Sequence, residues 1–423
     1  MNEMYITALT HRDELFDLTL RWLNDDFNVE DGSVVTRIFF YESAISAAVV
    51  DRMIEFLGNI FTRPLHVERI PEKRLLRERI IQYLPRQSLR SRQLTNIFRE
   101  NPEYFFPRLP IDAVMITGCG PRLAAIGRIK RLSRVAEKVS FRLADALFRE
   151  IKAEAQSIAE QRAVATGVPL AALISSDQEM RKDFVEAEEV VARRFRNKNV
   201  RIDREALTVN DLVGFKIIGD PDVLGRVPRL LQEVPGLTLV ETEEYTGVYN
   251  ASNVLVDVEL PPPDELAALQ GKFDASIAVR RGLDAGQTQK GFAAYLTQGA
   301  RSVRLEIILT TYDDLMESEF GRSMHELRVL RLRQQQAYSG PIAQNAGYLI
   351  EYLLTLAAAP VVAVPELPVK MYGRYLPESI VAAKCALFGN EIDGGLLNAF
   401  CMKSDCLSRF CSTRRGAGIP QPP

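Results

Sequence analysis

Asp211-Leu-Val-Gly-Phe-Lys-Ile-Ile218 reads as a turn running into a buried β-strand, an acidic turn former followed by a mostly apolar run. Working outward, Pro221 to Val234 fits a helix with Val223, Leu224, Val227, Leu230 and Leu231 on one face. Thr238 to Val240 is a short strand. Val254 to Leu260 alternates strictly, Val254, Val256, Val258 and Leu260 against Leu255, Asp257 and Glu259, and Pro261-Pro-Pro263 ends it. Ser302 to Thr310 is a further strand, and Tyr312 to Gln336 predicts one long helix. Upstream, Ala113-Val-Met-Ile-Thr-Gly118 is strand-like and leads through Gly118-Cys-Gly120 to a basic helix start near Gly127. Residues 135–165 and 177–196 predict two long charged helices that pair as a hairpin. Strands interleaved with helices imply an α+β fold with a mixed β-sheet core and extensive helical flanks.

Three regions follow: a helical N-terminal domain over 1–110, a core over 111–336 with a helical insertion at 139–200, and a helical C-terminal region over 337–423 with a disordered tail. Within the first, Tyr41 to Phe61 carries Ile45, Val49, Val50, Met53, Ile54 and Leu57 at helical spacing. Arg63 to Arg92 holds nine Arg or Lys against three Glu. This run is either a solvated helix face or a surface for nucleic acid or a partner. Tyr83 is its one aromatic residue, too few for single-strand stacking.

The chain has 423 residues, enough for two or three domains and for a core without disulfides or structural metal. At 47% hydrophobic and 26% charged it is neither a disordered chain nor a multi-span membrane protein. A net charge of −2 gives no bulk attraction to nucleic acid or membrane. The five cysteines, Cys119, Cys385, Cys401, Cys406 and Cys411, match neither a disulfide framework nor zinc knuckles, which points to a reducing cytoplasmic compartment. His11, His66 and His325 are the only histidines, and none is followed by Asp, which excludes a His-Asp phosphohydrolase site. No signal peptide is visible at the N-terminus. Gly347 to Leu367 is interrupted by Glu351, Pro360 and Pro365, and reads as a buried helix and an extended segment, with no membrane partner expected.

Three constellations bear chemistry. Gly127-Arg-Ile-Lys-Arg-Leu-Ser-Arg-Val-Ala-Glu-Lys138 gathers cations suited to polyphosphate at a helix start, or is an ordinary basic amphipathic helix. Asp211 caps its turn or holds Mg²⁺ against a triphosphate. Glu306, inside the apolar strand Arg304-Leu-Glu-Ile-Ile-Leu-Thr-Thr311, requires a partner or metal unless it reaches solvent.

In order along the chain, these resemble the synthetase domain of the RelA/SpoT family of (p)ppGpp-making enzymes. Gly127-Arg128-Ile-Lys130 with Lys138 fits the family's Gly-Arg-x-Lys stretch and its further Lys. Asp211-Leu-Val-Gly-Phe-Lys216-Ile-Ile fits the Asp segment with Lys for Arg, and Tyr249-Asn-Ala-Ser-Asn253 fits Tyr-x-x-x-His with Asn for His. Glu306 and Ser318-Glu319-Phe-Gly321 to His325 fit the last segment. The resemblance implies a nucleotidyltransferase-like core and a GTP/GDP diphosphokinase-like transferase that moves pyrophosphate from ATP to the 3′-hydroxyl of GDP or GTP. It implies that Arg128, Lys130 and Lys138 hold ATP phosphates and that Asp211 and Glu306 bind Mg²⁺, with Glu306 also the base. Lys216 would keep the charge of the family's Arg, and Tyr249 would stack on the acceptor base. Two alternatives stay open: a RelA/SpoT-like toxin acting on tRNA, or a degenerate nucleotide-binding scaffold. A homo-oligomer is compatible with each.

Overall fold

The computed structural model describes residues 9–389 apart from 62–63, 85–87, 119–121, 171–175, 199–201, 203, 205–208, 210, 248–249, 269–273, 335–337 and 339. Seven strands form one sheet: β1 (His66–Glu72), β2 (Pro110–Gly118), β3 (Arg122–Ile129), β4 (Val213–Ile218), β5 (Leu237–Tyr245), β6 (Ala251–Glu259) and β7 (Ser302–Thr310). Their spatial order is β1-β2-β3-β4-β7-β6-β5. The β4–β7 pair is parallel and every other neighbouring pair antiparallel. A mixed α+β fold with a multi-stranded sheet flanked by helices is thus established. The helices used below are α1 (Arg12–Leu23), α2 (Asp31–Ile60), α3 (Lys73–Gln82), α4 (Leu89–Glu100), α5 (Leu132–Thr166), α6 (Asp177–Arg196), α7 (Ala285–Gln298), α8 (Tyr312–Phe320), α9 (His325–Gln334) and α10 (Pro341–Leu356).

Alternation along the strands makes the two sheet faces chemically different. Val213, Phe215 and Ile217 of β4, Leu305 and Ile307 of β7 and Val254 and Val256 of β6 join one apolar core with α2, α5 and α10. Among the described residues the opposite face is covered over β1–β3 and the end of β4. There α3, α4 and α8 build a second core around Ile70, Leu76, Phe98, Met115, Ile126 and Phe320. Beyond it, over β4, β7 and β6, that face presents Lys216, Glu306 and Asn253, each partly exposed.

The helical hairpin forms as the spacing predicts. A capping box between Ser176 and Glu179 starts α6, and Gly167, at φ +70°, ends α5. Arg162–Asp183 and Arg194–Glu154 pairs hold the two helices antiparallel. The first half of α5 lies in the main core through Val135, Val139, Leu143 and Leu147. α2 is long and apolar enough to cross a membrane, but 61% of its apolar window is buried inside the protein.

Four expectations are corrected. The basic helix start at Gly127 is the end of strand β3, because Ala125 to Ile129 finds partners on both sides, in β2 and β4, and the helix begins only at Leu132. The single helix over 312–336 is two, broken after Phe320: Gly321 leaves the helical conformation for an extended one (φ −102°, ψ −159°), and the next helix starts at His325. The helix over 221–234 is two short ones, 221–224 and 227–233. The segment 1–110 is not purely helical, since β1 pairs with β2 and the edge at 110 runs through one sheet. Cys119 and the tail with Cys401, Cys406 and Cys411 lie outside the described residues.

Gly127 is a packing requirement. A Cβ there would stand 2.8 Å from both the Phe215 ring and Val114. Gly127→Ala should therefore cost about 1–3 kcal/mol by overpacking. Urea unfolding checks this, and an unchanged midpoint would mean that β3 and β4 are less tightly opposed.

Candidate active site

The strand order brings together residues that lie far apart in the sequence. Arg128 on β3 pairs with Gly214 on β4, and Gly214 pairs in turn with Glu306 on β7. Gly214 has no side chain to cover the neighbouring carboxylate, so Glu306 faces the open half of the sheet. On its other side β6 contributes Asn253, which is hydrogen-bonded to Glu306.

Asp211 sits just before β4, where the Lys130 backbone N–H donates to the Leu212 carbonyl at 2.8 Å. Its carboxylate holds two lysines on one oxygen: Lys130 Nζ lies 2.6 Å and Lys138 Nζ 2.5 Å from Oδ2. Burial alone would raise the Asp211 pKa, but the charges and hydrogen bonds of the two lysines outweigh it and hold the carboxyl at about 2. Glu306 is displaced the other way. Burial first, and then the negative charge of Asp211, raise its pKa, with Lys130, Lys138 and Asn253 opposing. Two neighbouring carboxylates are thus driven apart in acidity, one firmly ionised and the other nearer to accepting a proton.

Beside this group lies a second, more buried one. Glu319 on α8 is fully enclosed and spans two layers. Its Oε1 lies 3.2 Å from both the Arg128 guanidinium and Lys216 Nζ, and its Oε2 lies 2.6 Å from Lys73 Nζ on α3. Lys73 also meets Glu326 Oε1 at 3.0 Å. Arg77 contacts Glu326 Oε2 at 3.1 Å and donates to the Glu319 carbonyl at 2.8 Å and to the Phe105 carbonyl. Burial, followed by the charge of Arg128, pulls the Lys73 pKa down to about 8 despite its two carboxylate partners. For Glu319 desolvation is overcome by Lys73, Lys216, Arg128 and Arg77, and the carboxyl stays well below its usual range. His325 sits exposed at the rim. Partial desolvation, and next the charge of Arg128, lower its pKa.

Asp211, Glu306, Arg128, Lys130, Lys138 and Lys216 are therefore assembled at one sheet face. Tyr249 lies outside the described residues. The sequence reading missed Lys73 and Arg77, which it treats as part of a basic run, and Tyr245, half-exposed at the end of β5 and close enough for the Glu306 charge to act on its phenol. Among the described residues no three His, Cys, Asp or Glu side chains converge on a metal cage. A shallow groove lined by Asp177, Met180, Arg181, Phe184 and Val185 belongs to the helical hairpin and has no part in this chemistry.

No family profile matches the chain, and no curated protein matches it in sequence. Among solved structures it is similar to the small alarmone synthetase 1 from Bacillus subtilis, with 14% identity, 62% of this chain and 89% of that chain covered, and a TM-score of 0.22. The similarity is distant and partial.

The Asp211 pairs give a pH test. A carboxyl depressed in the folded state stabilises fully above its unfolded value of about 3.8 and loses that contribution as pH falls through about 2. Asp211→Asn should cost about 2 kcal/mol above pH 4 in denaturant unfolding. The difference from the unaltered protein should shrink between pH 4 and pH 2; a gap independent of pH would remove the two-lysine account.

Proposed function

We propose that the chain is a nucleotidyltransferase-like pyrophosphokinase that transfers the β,γ-pyrophosphate of ATP to the 3′-hydroxyl of GDP or GTP. One observation carries the reading: two carboxylates of opposed acidity, Asp211 and Glu306, share an open sheet face with Arg128, Lys130, Lys138 and Lys216. Cations around a carboxylate pair suit a polyphosphate and its metal, since phosphoryl transfer demands positioning and charge neutralisation above all.

In this reading Lys130 and Lys138 exchange Asp211 for phosphate oxygens when ATP arrives, which releases the Asp211 carboxylate. Arg128 and Lys216 hold further phosphate charge from the adjoining strands. A pair of carboxylates without a third protein ligand suits Mg²⁺, a hard cation that keeps waters and takes phosphate oxygens as ligands. Asp211 and Glu306 would hold it, and it would neutralise charge at the transferring phosphoryl group. Glu306, with its raised pKa, takes the proton of the 3′-hydroxyl as that oxygen bonds to the β-phosphorus. The α,β-bridging bond breaks and AMP departs. Tyr249 is the proposed stacking partner of the acceptor base.

The tRNA alternative leans on the basic segment 63–92. There Arg69, Arg74, Arg79 and Arg90 already pair with Asp112, Glu78, Glu68 and Glu317. Such part-exposed pairs are those of a solvated helix face, and the guanine nucleotide is the acceptor we propose.

Thin-layer chromatography of γ-labelled ATP with Mg²⁺ and GDP, GTP or bulk tRNA tests the proposal. Label should move into the guanine nucleotide, and Glu306→Gln should reduce transfer by at least about 10²-fold. A carboxyl with raised folded pKa destabilises the protein at neutral pH, so the same variant should melt slightly higher, by about 1–3 °C. Transfer to tRNA selects the toxin reading, and no transfer by a folded protein leaves a nucleotide-binding scaffold.

A further inference from the structure

Among the described residues, Lys73 and Arg77 are the members of the buried charge cluster contributed from outside the core region, and both are almost wholly enclosed. Burial of a lysine and an arginine is costly unless each is paired. Here the partners are Glu319 and Glu326, and the pairing is asymmetric. Glu319 turns one oxygen toward α3 and the other toward the sheet, where it holds Arg128 and Lys216 at 3.2 Å each. The Arg77 guanidinium is further fixed by the Phe105 and Phe320 rings, 5.8 and 5.9 Å from its centre. Four cations thus share two carboxylates, and the surplus positive charge emerges where Arg128 and Lys216 are partly exposed, 28% and 15%.

We propose that Lys73 and Arg77 are positioning residues: through the two oxygens of Glu319 they set the placement and the net charge of Arg128 and Lys216 on the open sheet face. The inference rests on the reading of that face as a nucleotide site. Lys73 competes with Lys216 and Arg128 for the Glu319 charge. Removing Lys73 leaves Glu319 to bind the sheet cations more firmly and lowers the positive surplus. Removing the Glu326 charge does the reverse, because Lys73 and Arg77 then lean on Glu319 alone.

The test uses the full chain with Lys73→Met and Glu326→Gln, and two readouts. The first is binding of ATP and of inorganic tripolyphosphate by calorimetry. The second is the rate of acetylation of Lys216 at fixed pH, followed by peptide mass spectrometry, which needs no nucleotide. Lys73→Met should weaken both anions about five- to tenfold and slow Lys216 labelling; Glu326→Gln should strengthen binding and speed labelling. Opposite signs from two variants that both lower the melting temperature are not what a structural brace produces. Unchanged affinity and labelling in both, or shifts of the same sign, overturn the inference. If one variant does not fold, the sign shown by the other decides. If the unaltered protein binds neither anion, the nucleotide reading falls, and Lys216 labelling alone decides whether Lys73 acts through Glu319.

Discussion

Glu319 imposes the hardest constraint in the molecule. A carboxylate with no solvent access has to be compensated where it stands, and four cations from three separate elements do so: Lys73 and Arg77 from α3, Arg128 from β3 and Lys216 from β4. Breaking one partner of such a buried group leaves an uncompensated charge, so the cluster fixes α3, α8 and the sheet relative to one another. It also explains why the second apolar core ends where it does. Ile126 and Ile218 belong to that core, while Arg128 and Lys216, near them on the same strands, begin the charged zone.

The two charge groups divide the work of the open face. Asp211 with Lys130 and Lys138 is one carboxylate against two lysines and keeps a single net positive charge, and Glu306 beside it is held closer to neutrality. The Glu319 group carries surplus positive charge. A polyphosphate laid across both would meet cations at one end and, at the other, lysines whose present partner is a carboxylate suited to a metal. Low dielectric on a half-enclosed sheet face strengthens each of these interactions relative to water.

Much of the fold was legible because its signals are local. β7 was readable residue for residue, since Val303, Leu305, Ile307 and Leu309 alternate with Arg304, Glu306 and Ile308. β3 was not, because Gly127 to Lys138 is locally basic, and what makes Arg128 a strand residue is pairing with β2 and β4. The break falls at Gly321, where the backbone turns extended, and the apolar spacing on either side of it does not reveal that. Lys73 and Arg77 look like any other cations of the run 63–92. Their burial is decided by Glu319, 242 residues from Arg77 along the chain. Motif order could gather Arg128, Lys130, Asp211 and Glu306 into one hypothesis, but not the buried cations that hold two of the neighbouring side chains in place.

The central claim is that the open face over β3, β4 and β7 receives a triphosphate. A crystal structure with α,β-methylene ATP, in which the bond expected to break is blocked, tests it most directly. The triphosphate should lie against Arg128, Lys130 and Lys138, with both lysines withdrawn from Asp211. A triphosphate bound elsewhere, or an empty face at saturating analogue with Lys130 and Lys138 still on Asp211, would contradict the account.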